Sequence, residues 1–240
     1  MTAPDVVVSQ TPDLLAIRAA EAFETARVVA IRWRGAFAVA LSGGKTPRAM
    51  LAALAKRPID WSRVHLFWSD ERCVGPDDPS SNFGMARDAL LAHIVIPEEN
   101  VHRMKGELEP QAGADDYVAE LQRHFAGRIV FDLVFLGLGP DGHTASLFPG
   151  TSALDVTDRP CVANRVESGV PSGWRLTLTY PAINAALQVA FLVEGVDKSA
   201  ILREVIDGPR EPRHLPAQGI APKSGDLTWF VDSAAASLLS

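Results

Sequence analysis

The sequence predicts an α/β fold: a three-layer α/β/α arrangement around a mainly parallel, Rossmann-like sheet. Three observations predict it. Strand-like and helical segments alternate along the chain. The strands are unbroken apolar runs, as expected for strands covered on both faces. Three of them end in Gly-rich or charged turns, at the sheet edge where such folds bind ligands. The 240 residues, 47% hydrophobic and 22% charged, suit one globular domain over 1–240. The segment Pro76–Gly113 leaves room for a small insertion.

Each element has its own local signal. Apolar residues from Leu14 to Trp33 recur at helical spacing after Thr11-Pro12-Asp13, a helix start. Ala36–Leu41 reads as a buried strand, broken by Ser42-Gly43-Gly44-Lys45-Thr46-Pro47 and followed by a helix over about Pro47–Lys56. Val64–Trp68 is a second strand, ending in Ser69-Asp70-Glu71-Arg72. Helical patterns follow at Phe83–Ala92 and Ala112–Phe125. Ile129–Gly137 is the most apolar strand, and it ends in Leu138-Gly139-Pro140-Asp141-Gly142-His143. Later strands are expected at Cys161–Val166, Arg175–Thr179, Val189–Glu194 and Leu227–Val231, with helices starting near Lys198 and Ala234.

Charge and composition exclude several functions. A formal net charge of −6 argues against generic nucleic-acid binding, which needs a basic face. An anionic substrate then requires a local Lys/Arg cluster rather than the overall field. Met1–Gln10 lacks the basic-then-apolar pattern of a signal peptide, and no apolar run is long enough to span a bilayer. Cys73 and Cys161 have no partners at metal-finger spacing and read as reduced thiols of a cytoplasmic protein. No H-E-x-x-H and no G-x-S-x-G occurs, so neither a zinc-hydrolase motif nor a serine elbow is present. No metal, cofactor, membrane or obligate protein partner is expected.

The turns carry the chemistry. In Ser42–Pro47 the glycines allow close backbone approach, and free amides at a helix start favour an anion. Gly44-Lys45-Thr46 is not a P-loop tail, because Val39 stands where that motif requires glycine. Gly137–Gly142 matches G-x-G-x-x-G, yet Asp141 would face a pyrophosphate and Asp158 lies in a polar loop, so a dinucleotide site is rejected. His143, two residues after Asp141 at the predicted crevice, reads as either a general base or a structural histidine. The other histidines (His65, His93, His102, His124, His214) read as structural or exposed. Asp70-Glu71-Arg72 reads as a solvated turn or, given its strand-end position, as a functional one whose Arg72 fork suits phosphate or carboxylate. Lys198 and Arg175 are further basic residues near strand ends.

Together these segments resemble the signatures of the 6-phosphogluconolactonases, within the glucosamine-6-phosphate isomerase/6-phosphogluconolactonase family. The resemblance rests on Leu41–Pro47, on Trp68–Val74 followed by Ser80-Ser81-Asn82, and above all on Gly137–Pro149. Arg175–Thr179, Gly195–Lys198, Pro216-Ala217-Gln218 and Trp229–Asp232 extend it from about residue 10 to 235. It implies a fold shared with glucosamine-6-phosphate deaminases and hydrolysis of 6-phosphoglucono-δ-lactone in the oxidative pentose phosphate pathway, without a metal. It implies His143 as the water-activating base, tuned by Asp141. Arg72 and Lys198 would hold phosphate, with Gly43, Gly44, Lys45 and Thr46 beneath and Arg175 as a further contact. Arg72 or a loop amide would stabilise the oxyanion. The deaminase pattern carries Tyr at the position of Arg72 and Glu at that of Phe148. A sugar-phosphate sensor on the same fold would carry a DNA-binding segment before the strand at Ala36, and it would not need His143.

Overall fold

The computed structural model describes residues 5–167 and 173–239. Six parallel strands form the central sheet, in the order β1-β9-β8-β5-β2-β3. They are β1 (Asp5–Ser9), β2 (Phe37–Leu41), β3 (Val64–Trp68), β5 (Leu133–Leu136), β8 (Gln188–Val193) and β9 (Asp226–Asp232). Every residue of β2 and β5 is buried, as their unbroken apolar sequences require. Helices α1 (Pro12–Arg34), α2 (Lys45–Leu54), α3 (Asn82–Ala89), α4 (Pro110–Phe125), α5 (Tyr180–Ile183) and α6 (Ser199–Asp207) connect and flank the strands. Thr11 caps α1 as its sequence predicts: its Oγ1 accepts from Leu14 N at 3.2 Å. Among the described residues no helix is long and apolar enough to cross a membrane.

The core is continuous across the sheet. Phe23 of α1 meets Phe37 edge-on at 5.1 Å, and Phe191 of β8 stacks on Trp229 of β9 at 3.8 Å. Tyr117 of α4, fully buried, donates its hydroxyl to Trp68 O and accepts from Trp68 N. That pair of bonds locks the helix to the carboxyl end of β3.

The structure corrects the expected strand set. Cys161–Val166 (β6) and Gly173–Leu178 (β7) leave the parallel sheet and pair antiparallel with each other. Asp70–Arg72, expected as a turn, forms β4 and pairs antiparallel with β7. The local cue lies in β6, where buried Asn164 and Val166 flank exposed Arg165, the alternation of a strand with one covered face. Strand β1 was not expected at all. It is a short edge strand paired only to β9, and three valines are too brief a signal. Pro76–Gly113 holds α3 and two short 3₁₀ turns but no strand.

Strand order fixes where a ligand sits. From β2 the chain steps outward to β3, then returns to place β5 on the other side of β2. The loops after β2 and β5 therefore part at their carboxyl ends, and a crevice opens there.

Candidate active site

A crevice of about 460 Å³ occupies this point. Its walls come from the loops after β2, β5 and β8 and from β4, including Gly43, Gly44, Lys45, Thr46, Arg72, His143 and Lys198. The three turns singled out in the sequence thus converge. Asn82, Asp70, Glu194 and Asp197 complete its polar lining.

His143 sits in a turn closed by Gly139 N donating to His143 O at 2.8 Å and Gly142 N donating to Gly139 O at 3.1 Å. Thr144 Oγ1 ties the turn back to Gly137 O at 2.9 Å. The imidazole lies directly over Gly139, where an added Cβ would stand 2.0 Å from His143 Nδ1. Glycine is required there by contact rather than by backbone torsion. Phe148 stacks on the ring with centroids 4.0 Å apart.

Asp141 does not line the crevice. It stands behind His143, with Oδ1 2.5 Å from Nδ1 and 3.2 Å from the His143 backbone N. A carboxylate only accepts, so in the neutral imidazole Nδ1 carries the proton and Nε2 the lone pair. No described residue bonds Nε2. Burial raises the Asp141 carboxyl, but the hydrogen bond and charge of His143 outweigh it and hold that carboxyl below the usual range.

The first loop forms the glycine-rich floor of the crevice. Gly44 caps α2 without a side-chain hydrogen bond, so amides at the helix start have no such partner. Gly43 lies so close to Asn82 that a Cβ would meet its Oδ1 at 1.8 Å, and this packs the first loop against α3. Lys45 projects outward, largely exposed, and its Nζ lies 2.9 Å from the shielded Glu194 Oε1. Hydrogen bonding to Glu194, with the charge of that carboxylate, raises the Lys45 ammonium. Lys198 is half-buried at the end of a 3₁₀ turn before α6 and makes no ion pair among the described residues.

Asp70-Glu71-Arg72 is a strut, not a solvated turn. Glu71 is buried, and its carboxylate accepts from the backbone N of Arg72, Asn82 and Phe83, each at 2.7 Å, and from Ser81 Oγ at 3.0 Å. Burial raises its carboxyl above the usual range, and the backbone donors of Phe83, Asn82 and Arg72 offset that only in part. Asp70 accepts from Ser146 Oγ at 2.6 Å and from Asn82 Nδ2 at 3.3 Å, joining the second and third motifs. Arg72 Nη1 donates to Ser80 O. The sequence did not single out Glu71 as the organiser of this corner; four donors converging from residues 72–83 are a tertiary fact.

Arg175 departs from its expected place. It lies opposite Arg72 in the β4–β7 register, is buried, and does not line the crevice. Burial, then the charge of Arg72, lowers its guanidinium. Both cysteines are free, and burial pushes the thiols up to about 11 for Cys73 and about 12 for Cys161, so neither is primed as a nucleophile.

Fold and crevice together define a doubly wound α/β protein with a glycine-rich helix start and a carboxylate-oriented histidine at the switch point. The chain belongs to the glucosamine-6-phosphate isomerase/6-phosphogluconolactonase family, whose model matches residues 10–229. It is 43% identical over 238 residues to the 6-phosphogluconolactonase of Synechocystis, covering 97% of each chain. The structure of 6-phosphogluconolactonase from Trypanosoma cruzi superposes with a TM-score of 0.88 at 30% identity, over 99% of this chain and 97% of that one. A monomeric glucosamine-6-phosphate deaminase shares the fold with a TM-score of 0.79 at 22% identity, over 98% of this chain and 99% of that one.

Proposed function

We propose that this chain hydrolyses 6-phospho-D-glucono-1,5-lactone to 6-phospho-D-gluconate in the cytoplasm, as part of the oxidative pentose phosphate pathway. The observation that carries the mechanism is the Asp141–His143 pair, which leaves Nε2 of a crevice-lining imidazole as a base. His143 Nε2 takes a proton from water as its oxygen attacks the lactone carbonyl carbon. The tetrahedral oxyanion then collapses, the bond from carbon to ring oxygen breaks, and the imidazolium returns the proton to that oxygen. Asp141 holds the ring's orientation and stabilises the imidazolium. Arg72 and Lys198 hold the phosphate by charge-assisted bonds, above the Gly43–Thr46 loop and the open amides of α2. Arg175, buried opposite Arg72 and outside the crevice lining, is not assigned a contact with substrate. Two free thiols support the cytoplasmic setting.

One observation separates this reaction from ring-opening deamination. Phe148 stacks on His143 where the deaminase pattern places Glu, so the imidazole has Asp141 as its carboxylate and an apolar wall on its face.

The test is hydrolysis of freshly prepared lactone by purified protein, with His143→Ala alongside. The wild type should exceed the spontaneous rate without NAD, ATP or added metal. The variant should lose about 10²- to 10⁴-fold in turnover, the usual weight of a positioned base. Folded protein with no acceleration over buffer would refute the activity. A variant retaining more than about half its turnover would remove His143 from the role.

A further inference from the structure

Three histidines that the crevice does not use meet at the open edge of the sheet. His65 is the second residue of β3, about 10 Å along the strand from its carboxyl end. His102 follows Val101, which bridges in parallel to Leu66, and its backbone N donates to Leu66 O at 2.8 Å. His124 lies in the last turn of α4. The ring nitrogens of the three, one from each, lie within 4.8 Å of one another. We propose that His65, His102 and His124 form a binding site for a divalent transition-metal ion of the Zn²⁺ class, with Glu120 positioning His102.

The geometry favours a metal over simple packing. Glu120 Oε1 lies 2.7 Å from His102 Nδ1, so the carboxylate takes that N–H and leaves Nε2 with its lone pair aimed at His65 Nδ1, 3.1 Å away. This is the carboxylate–histidine arrangement that orients ligands from behind. Neighbouring nitrogens on a tetrahedral Zn²⁺ are about 3.3 Å apart, given Zn–N bonds of about 2.0–2.1 Å. The His65–His102 pair is already at that separation. His124 makes no hydrogen bond to any described residue, and no separation within the set needs to close by more than about 1.5 Å. His65 and His124 are partly exposed, with His124 edge-on to Phe67 and Phe125, whereas His102 is buried and stacked on Phe67 at 4.3 Å. Metal binding moves the His65 proton from Nδ1 to Nε2 and draws the three nitrogens together. Three neutral imidazoles select Zn²⁺, Co²⁺, Ni²⁺ or Cu²⁺ over Mg²⁺ or Ca²⁺. The ion would staple the edge strand, the 101–104 loop and the end of α4. Spacings of 37 and 22 residues hide the set from any sequence motif.

The experiment titrates Zn²⁺ into the chelator-stripped full chain by calorimetry. One equivalent should bind, and Tm should rise by about 5–10 °C at free Zn²⁺ 100-fold above Kd. Co²⁺ should give the visible absorption of a tetrahedral site. His65→Ala and His124→Ala, each checked for folding by circular dichroism, should each abolish binding. Where His124→Ala does not fold, His65→Asn carries the same test. Glu120→Gln should weaken Zn²⁺ by about 10- to 100-fold while keeping the Co²⁺ spectrum, a combination that a merely structural role would not produce. No stoichiometric binding by the wild type overturns the proposal. So does binding that survives both histidine substitutions and disappears in His143→Ala.

Discussion

Adding one methyl group at Gly139 tests the proposed catalytic geometry more sharply than deleting a side chain. Gly139 has an ordinary backbone torsion, so alanine is tolerated there by the chain itself. The obstacle is the imidazole: the new Cβ would lie 2.0 Å from His143 Nδ1 and 2.1 Å from Cε1. Ordinary contact begins at 3.4 Å, so the ring must shift by 3.4 − 2.0 = 1.4 Å. That shift breaks the 2.5 Å bond to Asp141 and moves Nε2 off the water it would activate. A misplacement of about 1 Å costs on the order of 10²-fold in rate, so Gly139→Ala should lose at least about 10² in kcat on the lactone. Binding of 6-phosphogluconate, proposed to rest mainly on Arg72 and Lys198, should change far less. Gly75→Ala is the control, since a Cβ there meets nothing within 4 Å. The assay is lactone hydrolysis above the spontaneous rate, with binding by calorimetry. A folded Gly139→Ala protein with more than about half the wild-type kcat would refute the argument that this ring position carries the chemistry.

Three further outcomes follow from the site. Arg72→Ala or Lys198→Ala should weaken 6-phosphogluconate by about 10- to 100-fold, from the roughly 1.5–3 kcal/mol of a charged hydrogen bond; equal losses on unphosphorylated gluconolactone would move these residues from phosphate holding to the reaction itself. Glu71→Gln should destabilise the fold by about 1–3 kcal/mol, because all four donors around that carboxylate would face an amide that offers only one acceptor oxygen. Thermal unfolding should register this as a drop of roughly 2–4 °C per kcal/mol, and an unchanged Tm would show that the corner relaxes around glutamine. Glucosamine 6-phosphate should release no detectable ammonia, since Phe148 offers the His143 ring no hydrogen bond; turnover comparable to that on the lactone would show that Phe148 and Arg72 do not separate the two reactions.

The sequence by itself determined the parallel α/β sheet and the convergence of Ser42–Thr46, Asp70–Arg72 and Gly139–His143. Each of these is a contiguous strand-to-turn signal, and a parallel sheet sends all such turns to one edge. Thr11 as a cap, the glycine-rich start of α2 and the Asp141–His143 spacing are local in the same sense. Tertiary structure alone decided the rest. Whether Arg175 faces substrate or the interior depends on its pairing with Arg72 across two antiparallel strands, which no local pattern specifies. Glu71 turns inward because donors from residues 72–83 surround it, and without them the same three charges would belong in water. The stacking of Phe148 on His143, the Lys45–Glu194 pair and the meeting of His65, His102 and His124 likewise join side chains that only the folded path brings together. Local sequence sets backbone torsion and burial period; which distant side chain lies 3 Å away is set by strand register and packing, and these exist only once the whole chain has closed around its core.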